Sequence, residues 1–313
     1  MRAKHLFALL LPLLFNFIIS AQPRKSALPP QTATRTITVV TEPNASVWLD
    51  DIKYGATDES GKLTLQNISA GTRRLRVRAN GFKELSQNLL PAQKGDLKIV
   101  LTKTTDEAEL AFQQAEAEKD KEKAVELYRK AIVLRPKYAE ANLALARVLA
   151  DRSDNEGALK AIAAARKARP GYAEASAVEG RIYKSGDKEQ KAIAAFKRSI
   201  SEGKNFQPEA HAGLGLLYKE KAESSGAEGD FQSEKQYYIL AAAELEKAAA
   251  QLSTAPDAIT IYQLLGDCYE RAKMYPEAVK VYEKFLRLFP DSSEASAVRS
   301  FIVQINKRLN GEQ

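Results

Sequence analysis

The chain is poor in the residues that carry most enzyme chemistry: in 313 residues there is one cysteine, Cys268, and there are two histidines, His5 and His211. A single thiol rules out a disulfide framework and a cysteine-based zinc site, and two histidines are too few for a multi-histidine metal centre. Gly-rich phosphate loops, HExxH, CxxC and GxSxG are all missing, so the usual hydrolase, redox and nucleotide chemistries have no motif to rest on. The reading is therefore of a non-enzyme that needs no cofactor, with a carboxylate-only glycosidase the one catalytic class left open. After the first twenty residues no apolar run is long enough to cross a bilayer. With 16 glycines and 12 prolines, and 44% hydrophobic against 28% charged residues, the chain is neither collagen-like nor mostly disordered. Its length suits about two globular domains.

A net charge of +7 invites a nucleic-acid reading until the charge is located. Residues 1–35 carry five basic and no acidic side chains, residues 36–103 ten against seven, and residues 104–313 are close to neutral. The larger part thus has no phosphate-binding footprint, and nucleic acid is not an expected partner.

Residues 1–21 read as a secretory signal. Arg2 and Lys4 precede an apolar stretch from Leu6 to Ile19, broken by Pro12 and Asn16, that ends Ile19-Ser20-Ala21. The alternative is an uncleaved anchor, because Ile19 is not small; no cysteine follows to carry a lipid. The expected location is extracytoplasmic, periplasmic or secreted, with no membrane span once the signal is removed. Residues 22–35 (QPRKSALPPQTATR) offer little to bury and read as a disordered linker.

From residue 36 the hydrophobic period is two: Ile37 and Val39, Val47 and Leu49, Leu63 and Leu65, Leu75 and Val77, then Leu97, Ile99 and Leu101. Turn residues separate these runs at Pro43-Asn44, Asp50-Asp51, Gly61, Gly71 and Asn80-Gly81, which predicts a small antiparallel β-sandwich over 36–103. Ala45-Ser46-Val47, Gly55, Thr57, the Ile68-Ser69-Ala70-Gly71 turn, Leu75-Arg76-Val77 and Gly81-Phe82 make this segment resemble PEGA-type domains and their carboxypeptidase-regulatory-like relatives. The resemblance implies a module outside the cytoplasm with no catalytic residues. Asn44 stands in a shortened form of that family's Pro-x-Gly-Ala, where left-handed geometry is expected, and Asp51 stands where a glycine is usual. Arg74, Arg76 and Arg78 alternate along one strand and project from one face. That face is either simply solvated or a contact for an anionic envelope polymer such as a polysaccharide or peptidoglycan, or for another domain.

From residue 104 the period becomes 3.6 and the pattern returns every 34 residues: Ala124, Ala158 and Ala192; Tyr128, Ile162 and Phe196; Pro136 and Pro170. A later unit adds Tyr262, Leu265-Gly266, Tyr269, Ala278, Tyr282 and Pro290. These residues resemble the tetratricopeptide repeat, which implies an all-α solenoid of helix pairs with a concave face for a protein or peptide. Units are assigned at 105–138, 139–172, 173–207, 208–258 and 259–292, with a capping helix over 293–309. Unit four carries an insertion of about 14 residues around Ser224–Asp230, expected as a loop with a lengthened helix. Phe112 and Glu179 depart from the repeat pattern, and Glu109 and Gln113 replace the Lys and Asn by which chaperone-binding members clamp a carboxylate.

By motif position, Leu143, Arg147, Arg181, Lys184 and Leu216 line the groove, together with Ala150, Ala177, Ala212, Gln263 and Asp267. Arg147 and Arg181 hold equivalent positions in adjacent units and should stack along it, offering paired guanidiniums to a carboxylate or carbonyl. Otherwise each pairs with a neighbouring acid such as Glu140 or Glu174. The change of period near Thr104-Thr105 leads us to expect two parts that unfold separately.

Overall fold

A computed structural model of the protein describes residues 34–69 and 71–311. The expected signal segment, nearly all of the linker and the last two residues lie outside the described residues.

Seven strands form two small sheets. β1 (Thr34–Val40), β4 (Lys62–Ser69) and β7 (Gly95–Lys98) make one, ordered β4-β1-β7; β2 (Ser46–Leu49), β3 (Ile52–Ala56), β5 (Arg73–Arg78) and β6 (Leu85–Leu89) make the other, ordered β3-β2-β5-β6. All pairs are antiparallel except β1 with β7, which runs parallel. Alternation puts Ile37, Val39, Val47, Leu49, Leu65, Leu75 and Val77 inside, each at most 2% exposed. Asp50 and Asp51 form the two-residue hairpin between β2 and β3, with φ of 51° and 67°. Both central residues left-handed is the turn whose twist matches the flanking strands, so these paired acids are turn chemistry. Asn44 is also left-handed, with φ of 58°.

Two details differ from the sequence reading. β1 takes in the last two residues of the expected linker, because Arg35 has something to bind: its guanidinium donates to the carbonyls of Leu90, of Gln93 at 3.2 Å and of Gly71 at 2.9 Å. β3 and β6 are additional strands, and Ile99 and Leu101 are buried just beyond the end of β7.

Eleven helices follow: α1 (Glu107–Ala117), α2 (Lys121–Leu134), α3 (Ala139–Asp151), α4 (Asn155–Ala168), α5 (Ala173–Ser185), α6 (Glu189–Glu202), α7 (Pro208–Ala227), α8 (Phe231–Leu252), α9 (Ala258–Arg271), α10 (Tyr275–Leu288) and α11 (Ala295–Leu309). Five successive pairs give the five units. Small residues permit the close approach within each: a Cβ at Gly266 would overlap the Tyr282 ring, and one at Gly180 would lie 2.6 Å from the Phe196 ring. Pro136, Pro170 and Pro290 each stand two residues past a helix end. Glu179 accepts from Arg198 at 2.5 Å and from Arg166 at 3.4 Å, so an ion network joins α4, α5 and α6 where an apolar contact was expected. α11 covers the last pair through Val298 and Ile305, both fully buried, with the Phe301 ring 5.7 Å from that of Tyr282.

The insertion in unit four is not a loop. It is absorbed as extra helical turns on both helices, 20 residues in α7 and 22 in α8 against 13 and 14 in α5 and α6, joined by a short turn at Glu228-Gly229-Asp230. The inserted residues are mostly Ala, Glu, Ser and Lys, which extend a helix readily, and Asp230 restarts the chain by accepting from the Ser233 amide at 3.0 Å.

The β region does not sit apart from the helices. Its core is continuous with that of α8–α11 and the end of α7 in one hydrophobic cluster, while α1–α5 form a second and Ala177, Phe196, Ala210 and Leu214 belong to a third across α5–α7. The Tyr54 hydroxyl approaches the Leu252 carbonyl at 3.5 Å, and Thr254 Oγ1 donates to the Gln66 carbonyl at 2.7 Å. Separate unfolding of the two parts does not follow from this packing, because the last units and the sandwich share buried surface.

Candidate functional site

The first helices of the units, α1, α3, α5, α7 and α9, all present residues to one cavity of about 1370 Å³. Its opposite wall is the β3-β2-β5-β6 sheet. The β region thus lies across the concave face of the array and leaves a half-open chamber between them.

Unit one holds the β region by its backbone. The Gln113 side-chain amide accepts from the Gly81 amide and donates to the Phe82 carbonyl, both at 2.8 Å, while Glu109 accepts from the Glu84 amide at 3.1 Å and from Thr104 Oγ1 at 2.9 Å. Arg78 pairs with Glu116 of α1 and, at 2.8 Å, with Glu84; its guanidinium lies 4.8 Å from the Phe112 ring centre. The residues that depart from the repeat pattern in unit one are therefore the ones that bind the neighbouring sheet.

Arg74, Arg76 and Arg78 all line the chamber. Arg74 pairs with Asp51. Arg76 and Arg78 lie over the Trp48 ring, 4.6 and 5.0 Å from its centre, and leave Trp48 only 9% exposed. Arg76 is the least committed of the three: its nearest carboxylate oxygens, on Asp51 and Glu84, are 3.9 and 4.0 Å away, and its buried Nε has no hydrogen-bond partner among the described residues.

Across the chamber stand Leu143, Arg147, Arg181, Lys184 and Leu216. Arg147 and Arg181 are not equivalent. Arg147 reaches from α3 to Glu209 of α7 at 3.0 Å, skipping the unit between, while Glu140 is taken by Arg169. Arg181 is exposed to the chamber and has no hydrogen bond or ion pair among the described residues. Lys184 pairs with Glu220. Glu174 is half-buried in the same wall; burial raises its carboxyl above the ordinary range, and the Arg147 and Arg76 guanidiniums work against that rise. Ala212 also lines the chamber, Ala177 is fully buried, and Asp267 lies elsewhere, paired with Arg271 at 2.9 Å.

The two candidate sets, one on the strand and one on the helices, are thus opposite walls of one space. Trp48 and Glu209 belong to it without having been picked out in the sequence, and Glu174 was expected only as a partner for an arginine.

The tetratricopeptide repeat profile matches residues 110–173 and 143–208, and a second profile of the same description matches 259–292. The chain carries tetratricopeptide repeats. Between the matched stretches lies most of unit four, the pair with lengthened helices. No curated protein matches the sequence. Among solved structures, the chain is similar to a crystal structure of MamA protein, with 22% identity over 61% of this chain and 96% of that one and a TM-score of 0.40. It is also similar to a thermophilic TPR protein of Thermus thermophilus, with 19% identity, 63% and 99% coverage and a TM-score of 0.44. PilW, a type IV pilus biogenesis factor, gives 15% identity, 66% and 94% coverage and a TM-score of 0.44.

Proposed function

We propose that this protein is a non-enzymatic extracytoplasmic scaffold that receives a protein or peptide partner on the concave face of its repeats. Tetratricopeptide repeats imply a protein-interaction role. The observation that carries the finer reading is the chamber itself. Its 1370 Å³ exceeds the roughly 300–1000 Å³ usual for small-molecule pockets, and its repeat wall mixes apolar side chains with the unpaired Arg181. The location rests on the signal-like residues 1–21 and on the PEGA-like pattern of the β region. Cys268 suits an oxidising compartment: it is buried, and burial pushes its thiol up to about 12. Among the described residues no helix is long and apolar enough to cross a membrane.

An envelope polymer bound on the Arg74, Arg76 and Arg78 face is the competing reading. It is disfavoured because that face looks into the chamber and two of the three arginines are stacked on Trp48.

The test is crosslinking in the native envelope with identification of captured partners, followed by binding to Arg147→Glu, Arg181→Glu and the double variant. A lost charge-assisted hydrogen bond costs about 1.5–3 kcal/mol, so Arg181→Glu and the double variant should both bind far more weakly than wild type, while Arg147→Glu, which breaks the Glu209 pair, should act mainly on the fold. Capture of polysaccharide alone, or undiminished protein binding by the double variant, would contradict the scaffold reading.

A further inference from the structure

Most charges that line the chamber are paired, and the cations left over stand on both walls, Lys53 and Arg76 on the sheet and Arg181 on the repeats. Arg78, Arg74, Arg147, Arg169 and Lys184 each have a carboxylate partner at hydrogen-bond range. Arg181 of α5 has none, and Arg76 of β5 has only the two carboxylate oxygens beyond hydrogen-bond distance described above. A guanidinium left with unused donors inside a walled space favours an anionic ligand that completes them.

We infer that the chamber is a composite site for an extended acidic peptide segment, gripped from the sheet by Arg76 and from the repeats by Arg181. The inference rests on reading the concave face as a partner site, and adds that the β region supplies half of the recognition.

Three observations favour a peptide over an anionic glycan. The only tryptophan is covered by guanidiniums and offers a sugar no free face. Leu143, Phe206, Leu216 and Ile261 give the chamber apolar lining suited to side chains between the acidic ones. Both walls also carry a guanidinium with unused donors, Arg76 on β5 and Arg181 on α5, and neighbouring residues of an extended chain point to opposite sides, toward opposite walls.

The probe is a random twelve-residue phage-displayed library selected on the full chain, with selected peptides and hyaluronan then titrated against wild type, Arg76→Glu, Arg76→Lys and Arg181→Glu. Wild type should enrich Asp and Glu, commonly in pairs an odd number of positions apart. Each charge reversal should weaken the selected peptides by about ten- to a hundredfold and shift a fresh selection toward Lys and Arg. Arg76→Lys should keep the acidic preference at lower affinity, which guards against a folding defect in the reversal. Peptides that depend on Arg181 but bind Arg76→Glu unchanged would overturn the composite site and leave the scaffold reading standing. Peptides without acidic enrichment, or hyaluronan binding that depends on Arg76, would overturn the ligand class. No selected peptide at all would count against the scaffold reading itself.

Discussion

At α1 the β region is held by hydrogen bonds to its backbone, from Gln113 and Glu109, and by the Arg78–Glu116 pair; at the turn between α8 and α9 it is held by merging its core with that of the last units. The attachment at α1 is local in sequence, with Gly81 and Gln113 only 32 residues apart, whereas the one at the α8–α9 turn is distant: beside the shared core, hydrogen bonds join Tyr54 to Leu252 across 198 residues and Thr254 to Gln66 across 188. Polar contacts exchange hydrogen bonds with water for hydrogen bonds within the protein and yield little net stability, but leaving one half-made is costly. Apolar burial scales with area and carries most of the free energy. The near attachment should therefore set the register of the sheet over the groove, and the distant one should hold it there.

The largest effect expected is from the apolar side. Leu252→Ala, at a side chain 6% exposed, should destabilise by about 2–5 kcal/mol and lower protection in the β strands together with α8–α11 in hydrogen exchange. If only the helices responded, the shared core would be refuted. Gln113→Ala comes next, at about 1–3 kcal/mol, because it strips partners from the Gly81 amide and the Phe82 carbonyl; denaturant unfolding measures it. Asp120→Ala removes the cap of α2, where the carboxylate accepts from the Glu122 amide at 2.9 Å and the Lys123 amide at 3.1 Å. It should cost about 1 kcal/mol and leave both attachments protected, which makes it the control.

The smallest effect depends on pH. A carboxyl raised in the folded state contributes its full stability below the ordinary glutamate value of 4.5 and loses it as pH rises through the folded value. Glu174→Gln should accordingly match wild type in acid and become the more stable of the two as pH rises above that range. A series of melting curves across pH checks the sign, and a variant that loses ground toward high pH would contradict it.

The same comparison explains what the sequence could disclose. Repeats are legible because packing recurs: Ala124, Ala158 and Ala192 each fit beneath the helix of their own unit, and a recurring contact leaves a recurring letter. The alternating strands are legible for the same reason, except β6, whose Leu-Ser-Gln-Asn-Leu carries too few apolar residues to show a period, and β3, where Gly55 interrupts it. The lengthened helices of unit four were hidden by Gly226 and Gly229, which suggest a loop although only Gly229 lies in the turn. Docking of the sheet across the groove happens once in the molecule, so no period records it. Phe112, Glu109 and Gln113 appear in sequence as losses from the repeat pattern, and their gain is visible only when the sheet is in place. Arg147 and Arg181 look equivalent by position, yet the partner that separates them, Glu209, is 62 residues from Arg147.

The central claim, that the β region lies across the concave face, is tested most directly at the Gly81 amide, which donates to Gln113 Oε1 at 2.8 Å and to nothing in its own sheet. Hydrogen exchange resolved at single amides should find Gly81 protected in the full chain and unprotected in Gln113→Ala, with Val47 in the centre of the sheet protected in both. A Gly81 amide that exchanges at the rate of an open loop in the unaltered protein would mean that the sheet does not rest on α1 and that the chamber lacks its second wall.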